Sequence, residues 1–392
     1  MPKAVSAEKS RRFEALNEVA LANDGHEAFV KTFEDRSVDA YHVPMWEGDF
    51  QGKMKQLTMV QIFQSIDFAV GEKKLLWDLV GHGKAYVDCG KTLISGCDNV
   101  SSPSHPEHNV FGRLSRRNCR RKGCPSCFEA WASAQAERAL VRLATYVRGP
   151  HLVYHTILDV QKEFAGKPAR LYHEELVSRL ETVVSSGGYG KMPIHLVLSP
   201  PQGVKCETLA DFKALRALAY RIAKESGFGG GAMIFHPYRL HCVKCGSAIP
   251  EYWKKCPQCG GSAFAWVFSV HFHAVGFGWI ADTKEGFERH AWVVKNLKGR
   301  ESVFWTFQYL LSHAGVSKVH TTTWFGKLAY NVMGPVPPVA GFREVCPWCG
   351  RLLYPLIWLG GEDRGPPDLV FDKNPALNDL SLSAADWGCF HG

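Results

Sequence analysis

Two Cys-x-x-Cys pairs, ten residues apart, constrain this chain more than any other feature. The pairs are Cys242-Val-Lys-Cys245 and Cys256-Pro-Gln-Cys259, and a glycine follows each of them. Such turns bring four thiolates into a tetrahedron, and the glycines suit the tight knuckle in which backbone amides point at the sulfur atoms. The spacing therefore predicts a zinc ribbon over residues 241–262. An insert this short has no core of its own, so Zn²⁺ must supply most of its stability.

A second cysteine group is an incomplete set of zinc ligands. Cys119, Cys124 and Cys127 supply three sulfur atoms directly before a helix-like run at residues 128–147. A four-coordinate site needs one ligand more, and we take Cys97, although the spacing does not separate it from the other upstream candidates. Those candidates are Cys89, His105 and His108.

A third group repeats the knuckle sequence as Cys346-Pro-Trp-Cys349 and lacks a second pair beside it. Cys389 and His391, near the C-terminus, are candidates to complete a zinc site there. Cys206 stands apart from every group and is predicted to be an ordinary buried thiol.

Composition places the chain among ordinary globular proteins. With 392 residues, 46% of them hydrophobic and 21% charged, it can form two or three compact units, and disordered or collagen-like classes are excluded. No apolar run approaches the roughly 20 residues of a membrane helix. The first twelve residues contain no apolar signal segment, so we expect a cytoplasmic protein whose 13 cysteines are thiols or metal-bound thiolates.

A basic loop surrounds the second cysteine group. The net charge is only +8, but five cations fall within seven residues. They are a candidate DNA contact, with a solvated charged loop as the alternative. The five are Arg116, Arg117, Arg120, Arg121 and Lys122.

The segment 265–277 carries two histidines in a run rich in valine and aromatic residues, which predicts a buried strand. Side chains alternate along a strand, so His271 and His273 point to the same face. Two imidazoles buried together need partners in one place, and a metal ion provides one. About 28 residues further on, the run 301–313 reads as an amphipathic helix that places Tyr309 and His313 on one face.

These residue types together favour transfer of a phosphoryl group. A divalent cation on two or three imidazoles keeps open positions and stabilises charge on a phosphate oxygen. His313 is one candidate for the third ligand, and the Tyr309 phenol is the candidate nucleophile for a covalent intermediate. We expect Mn²⁺ or Mg²⁺ at this site, with Zn²⁺ also able to bind imidazole.

At these residues the sequence resembles the HUH endonucleases, and most closely the single-tyrosine replication initiators of archaeal rolling-circle plasmids and viruses. His271-Phe-His273 resembles the metal motif, and the run Tyr309-Leu-Leu-Ser-His313 resembles the nucleophile motif, with Ser312 where the family commonly has lysine. Residues 194–200 resemble the first motif strand. Residues 231–237 resemble the strand that often carries the remaining ligand, which would here be His236.

The resemblance implies an α+β fold: an HUH endonuclease domain, related to RRM-like and ferredoxin-like folds, whose central antiparallel sheet is flanked by helices, with an inserted zinc ribbon and additional zinc-binding segments. It implies nicking of single-stranded origin DNA by Tyr309, which would become joined to the 5′-phosphate and leave a 3′-hydroxyl for a host polymerase. No Walker A sequence is present, so a host helicase is expected as a further partner.

Four regions follow from these patterns. Residues 1–80 form an N-terminal helical region of unassigned role, and residues 81–150 a cysteine-rich zinc-binding segment with a helix. Residues 185–335 form the endonuclease domain with the ribbon inserted, and residues 336–392 a C-terminal cysteine-containing region. Two alternatives remain open: an HUH transposase or relaxase with the same chemistry, and a zinc-dependent DNA-binding regulator without enzymatic activity.

Overall fold

Two five-stranded antiparallel sheets organise the described part of the chain. The computed structural model describes residues 77–106, 109–187, 192–201, 203–249, 254–280, 283–317, 319–338, 342–360, 367–372 and 374–390. Most of the N-terminal region predicted at 1–80, together with the candidate ligands His108 and His391, lies outside these residues.

Six helices lie within the described residues, and the five longer ones are formed by runs whose apolar positions recur at helical spacing. They are α1 (Phe128–Arg148), α2 (Pro150–Glu163), α3 (Ala169–Ser185), α4 (Leu209–Glu225), α5 (Lys284–His290) and α6 (Val303–Ser312). Two begin at clear caps: Thr208 forms a capping box at α4, and the Ser302 side chain accepts a hydrogen bond from the Trp305 amide at α6.

The strands of the described residues are, in chain order, β1 (Asp78–Leu79), β2 (Thr92–Cys97), β3 (Asn109–Arg116), β4 (Ile194–Ser199), β5 (Phe228–Cys242), β6 (Phe264–Gly278), β7 (Val293–Gly299), β8 (Gly315–Val316), β9 (Thr322–Gly326), β10 (Tyr354–Trp358), β11 (Asp379–Ser383) and β12 (Trp387–Cys389). The sheet with the order β7-β4-β6-β5-β9 is called the central sheet, and the sheet with the order β11-β3-β2-β10-β12 is called the second sheet.

The central sheet is built around one long hairpin. Strands β5 and β6 are 15 residues each, and their register runs from Phe228 opposite Gly278 to Cys242 opposite Phe264. The ribbon cysteines occupy the tip of this hairpin, which is the place expected for an insertion whose ends stay close together.

Helices cover both faces of the central sheet. One face carries Ile234 and Val275 and packs on α1, α2, α3 and α6 in a single apolar core. The opposite face carries Phe272 and packs on α4 through Phe212 and Ile222. The protein is therefore an α+β fold with antiparallel sheets and helices, as the sequence predicts at this level.

The second sheet joins segments distant in the sequence. Strands β2 and β3 pair with each other, β10 pairs with β2, and β11 pairs with β3. The Arg113 guanidinium of β3 donates to Asp379 on the neighbouring strand β11 and to Glu344 outside the sheet. Across the described residues, no helix has the length and apolarity needed to cross a membrane.

Candidate functional site

Three histidines from neighbouring strands meet on the face of the central sheet that α6 covers. His236 of β5 stands directly opposite His271 of β6, and the ring of His273 is centred 4.3 Å from that of His236. One nitrogen from each of the three rings lies within 4.8 Å of the others. Strand alternation explains the arrangement, because His271 and His273 are two residues apart and share a face.

The protein holds one nitrogen of each ring and leaves the other available. His236 Nε2 donates to the Leu310 carbonyl at 2.9 Å, and His271 Nδ1 donates to the Ser269 carbonyl at 2.8 Å. His273 Nδ1 lies 2.7 Å from Nε2 of His195. Contacts of this kind orient metal-binding imidazoles and fix their tautomers.

The remaining nitrogen atoms fit a bound cation. Nδ1 of His236 is buried and has no hydrogen-bond partner among the described residues, which is costly unless a ligand meets it. Removal from water lowers the pKa of His236, His271 and His273 well below the ordinary value. The three rings are therefore neutral at pH 7, as imidazole ligands must be.

The structure brings His236, and not His313, into this ligand group. Helix α6 ends at Ser312, and His313 is its C-terminal cap with a φ of −128°. The His313 ring packs edge-on against His236, with centroids 4.3 Å apart. His313 is buried and burial lowers its pKa to about 3.

Tyr309 contacts His313, which in turn contacts His236 of the ligand group. Its ring is centred 4.6 Å from the ring of His313, and 39% of the residue is exposed. The predicted helix therefore carries a solvent-accessible phenol beside a buried histidine group, and its neighbour Leu310 is the residue that accepts the hydrogen bond from His236.

His195 is a site residue that sequence reasoning did not single out. It is only 3% exposed, burial lowers its pKa to about 3, and it contacts the His273 ring from β4. A signal existed in the pattern Ile194-His-Leu-Val-Leu, since a histidine within an apolar strand needs a polar partner. Its partner depends on the register between β4 and β6, which the sequence does not display.

The four ribbon cysteines come together at the tip of the long hairpin. Cys242, Cys245, Cys256 and Cys259 place their sulfur atoms within 4.8 Å of one another. Gly246 and Gly260 adopt left-handed φ angles of 70° and 67°, and each amide donates to the carbonyl of the first cysteine of its pair. Hydrogen bonds with Ser247 lower the pKa of Cys245 to about 6, which favours its thiolate.

The structure places Cys89 beside the second cysteine group, and Cys97, which was predicted as its fourth ligand, lies in a different cluster. Cys89 joins Cys119, Cys124 and Cys127 in one cluster at the start of α1. Strand β2 separates the two candidates: Cys89 precedes it and Cys97 ends it, roughly 20 Å further along an extended chain.

The third group draws its missing ligands from upstream, and not from Cys389. Cys346 and Cys349 cluster with Cys97 and His105, and His105 Nε2 lies 3.2 Å from Cys349 Sγ. The Cys389 thiol instead donates to the Gly96 carbonyl at 3.4 Å. The three cysteine-containing clusters and the histidine group are all consistent with zinc ions. Cys206 is buried beside Trp77, apart from these clusters.

The five cations of the basic loop do not share one environment. Arg117 pairs with Asp88 at 2.9 Å, and Arg121 lies over the ring of Tyr86. Arg116 lies over the ring of Phe371, and Arg120 has a left-handed φ of 52°. Lys122 turns inward, where its Nζ donates to the carbonyls of residues 317 and 319. Arg117 and Arg121 are thus the more exposed cations of this loop.

Comparisons of the chain with protein-family models, with curated proteins and with solved structures give no match.

Proposed function

We propose that the protein nicks and rejoins single-stranded DNA, with Tyr309 as the nucleophile and a divalent cation on His236, His271 and His273. One observation carries the proposal: the hydrogen bond from His236 Nε2 to the Leu310 carbonyl. It ties the helix of the phenol directly to a ring of the ligand group. Tyr309 is 39% exposed, so a DNA strand can reach it from solvent.

The chain's own residues divide the chemistry between them. Mn²⁺ or Mg²⁺, when bound, supplies charge stabilisation for a non-bridging phosphate oxygen. The Tyr309 oxygen forms a bond to phosphorus while the bond from phosphorus to the 3′ oxygen breaks. That oxygen leaves as a 3′-hydroxyl with the phenolic proton, and the 5′-phosphate stays on Tyr309. The phosphotyrosine keeps the energy of the broken bond, so a later 3′-hydroxyl can reverse the step.

The resemblance to HUH replication initiators makes initiation of rolling-circle replication the role we infer. The antiparallel central sheet, with α6 over its histidine face, supports assigning the HUH fold. Origin DNA is then the substrate, a host polymerase extends the 3′-hydroxyl, and a host helicase opens the duplex. An HUH transposase or relaxase would use the same residues on another DNA substrate.

A zinc-dependent DNA-binding regulator without activity is the second candidate. The observation in its favour is the presence of three cysteine-containing clusters beside the histidine group, which would then be a fourth structural zinc site. A regulator of this kind needs no nucleophile, so this hypothesis assigns no chemical role to Tyr309.

Substitution Tyr309→Phe separates the two candidates. Labelled single-stranded DNA from the protein's own replicon is incubated with Mn²⁺ or Mg²⁺ and analysed on a denaturing gel. Wild type should form a covalent adduct, and Tyr309→Phe should form none while its DNA affinity stays within about twofold, because one hydroxyl adds little to backbone electrostatics. Tyr154→Phe, at an exposed tyrosine of α2, is the matched control. An adduct in Tyr309→Phe would overturn the nucleophile. Binding by wild type without any adduct would favour the regulator.

A further inference from the structure

Helix α1, strand β9 and the segments beside them line a cavity of about 480 Å³ that is open to solvent on one side. Its lining combines cations with aromatic rings, and none of the described residues that line it is acidic. The residues that matter for its chemistry are Lys122, Arg138, Arg142, Trp131, Trp324 and Tyr330. A space with this lining suits a ligand that has both an anionic group and a planar ring.

Arg142 is the strongest sign of an anionic ligand. It is only 7% exposed, and its Nε and Nη2 both donate to the Leu328 carbonyl, at 2.9 and 2.8 Å. Its guanidinium lies 4.4 Å from the ring centre of Tyr330 and 5.1 Å from that of Trp324. Within the described residues no carboxylate pairs with it. A guanidinium stays charged even when buried, so an anion in the cavity would offset its desolvation.

Two further cations face the same space. Lys122 Nζ is held by neutral oxygens, namely the Ser317 and Val319 carbonyls and the Thr321 hydroxyl, which position its charge without neutralising it. Arg138 is exposed on α1, four residues before Arg142 and on the same side of the helix. The cavity therefore offers both a deep and a shallow positive charge.

The aromatic rings supply a surface on which bases stack. Tyr330 is 71% exposed, although its ring lies over the Arg142 guanidinium, so one side of the phenol remains open to a ligand. Trp131 lines the wall formed by α1. Stacking on such rings, combined with cations for the phosphates, is how single-stranded nucleic acid is bound without regard to sequence.

The cavity also lies next to the histidine group along the sheet. Thr322 lines the cavity and pairs with Ile234, which precedes His236 by two residues on the same face of β5. Two residues of strand correspond to about 7 Å. A single strand whose phosphate reaches the histidine group can therefore continue into the cavity.

We infer that this cavity binds a nucleotide unit of the single-stranded DNA substrate, with its phosphate on Arg138 and Arg142 and its base against Tyr330. The inference rests on the proposed function, because it takes DNA as the ligand. It adds a binding element outside the nicking residues, on a helix that begins at the Cys89–Cys119–Cys124–Cys127 cluster.

The test measures binding of fluorescein-labelled oligo(dT), twelve nucleotides long, by anisotropy without added divalent cation. Tyr330→Ala and Arg138→Gln should each weaken binding about tenfold, and Tyr330→Phe should bind like wild type because it keeps the ring. Arg138→Gln should also reduce the slope of log K against log salt by about 0.7, the value for one lost phosphate contact. Tyr154→Ala and Arg221→Gln, exposed residues of α2 and α4, are matched controls and should change neither quantity.

A second measurement does not depend on substitutions. Oligo(dT) carrying 5-bromodeoxyuridine is photocrosslinked to the wild-type protein, and the attached peptides are mapped by mass spectrometry. Crosslinks at Tyr330 or Trp131 support the inference, and crosslinks only at other sites overturn it.

Adduct formation at Tyr309, measured on the same preparations, keeps the two proposals apart. If the Tyr330 and Arg138 variants bind as wild type does while wild type still forms the adduct, the cavity inference is wrong and nicking stands. If these variants lose binding while no metal supports an adduct, the cavity stands and the nicking proposal fails. If the wild-type protein does not bind oligo(dT) at all, the cavity inference is wrong.

Discussion

At the scale of single residues, one nitrogen of each imidazole in the histidine group contacts another protein group, and the other nitrogen faces the candidate metal position. His195 provides one of those protein contacts, to Nδ1 of His273 at 2.7 Å. It lies on β4 and does not belong to the ligand group itself. Its role is to position His273, in the way that outer hydrogen bonds orient the ligands of metal sites.

Replacement of His195 by alanine should therefore lower the affinity for Mn²⁺ without unfolding the protein. We expect a loss of roughly 10- to 100-fold, the usual effect of removing such a partner. His195→Gln should recover part of it, because its side-chain oxygen can accept from His273. Titration of free Mn²⁺ by electron paramagnetic resonance measures the change, with His155→Ala on the exposed side of α2 as control. Unchanged Mn²⁺ affinity in a folded His195→Ala would contradict this role.

Local periodicity accounts for what the sequence revealed about single residues. His271 and His273 share a face because strands alternate, and Tyr309 and His313 remain neighbours because helices return every 3.6 residues. His195 needed a different kind of information, namely which residues stand opposite each other in two strands 78 positions apart. The register between two strands is set by tertiary packing, so it cannot be predicted from the spacing of residues in the sequence.

At the scale of elements, α1 and α3 share a buried acid–base pair. His173 Nδ1 lies 2.7 Å from a Glu137 carboxylate oxygen. Burial raises the pKa of Glu137 from 4.5 to about 8 and lowers the pKa of His173 from 6.5 to about 3. Both groups are therefore neutral in the folded protein at neutral pH.

The pair should give the protein a stability plateau between pH 4.5 and 6.5. Above pH 6.5, unfolding ionises Glu137 while the folded state resists it, so stability falls by about 2 kcal/mol by pH 8. Below pH 4.5, unfolding protonates His173 and stability falls again. Between these limits the two effects cancel.

Glu137→Gln removes the ionisable acid and keeps a neutral hydrogen-bonding group. Its stability relative to wild type, from urea unfolding at several pH values, should therefore rise steadily from pH 4.5 to 8 and stay level below pH 4.5, where Glu137 is protonated in both states. Glu174→Gln, at a partly exposed pair with Arg170, serves as control. Parallel curves for wild type and Glu137→Gln would show that the pair does not control stability in this range.

Strand β2 decides which cysteines share a site. Cys89 and Cys97 are equally reasonable partners for Cys119 from spacing alone, but the six residues of β2 carry Cys97 to the opposite end of the strand. There it meets Cys346 and Cys349. Sequence spacing identified the knuckles, whose geometry is local, and could not identify ligands contributed by another element.

Zinc content tests this assignment with two matched substitutions. Cys89→Ser should remove one Zn²⁺ per chain, because a three-ligand cluster holds zinc far less tightly. Cys389→Ser should leave the zinc content unchanged, since the Cys389 thiol donates to the Gly96 carbonyl and belongs to none of the clusters of described residues. Mass spectrometry of metals on the purified proteins gives the count. Loss of zinc from Cys389→Ser, or none from Cys89→Ser, would contradict the clusters described above.

At the scale of the whole molecule, the described residues of two predicted regions, 81–150 and 185–335, contribute to one apolar core. Helices α1, α2 and α3 share one apolar core with α6 and the central sheet, although the sequence placed α1 with the cysteine-rich segment. Local patterns predicted single elements, such as the strand at 265–277 and the helix at 301–313, which correspond to β6 and α6. The packing of helices on the two sheets depends on contacts between segments distant in the sequence. Local patterns of residues do not reveal these contacts.

The cluster of Cys97, His105, Cys346 and Cys349 also has a consequence for the order in which the ligand groups are completed during synthesis. Its halves are separated by 241 residues between His105 and Cys346. A ribosome making 5–20 residues per second needs roughly 12 to 50 seconds to span that interval. Until then Cys97 and His105 form only half of the cluster, whereas the ribbon cysteines, 17 residues from first to last, are synthesised within about 1 to 3 seconds. This cluster is therefore the last of the ligand groups described above to have all its residues synthesised, and a nascent chain interrupted before Cys346 would contain the histidine strands without a complete cluster.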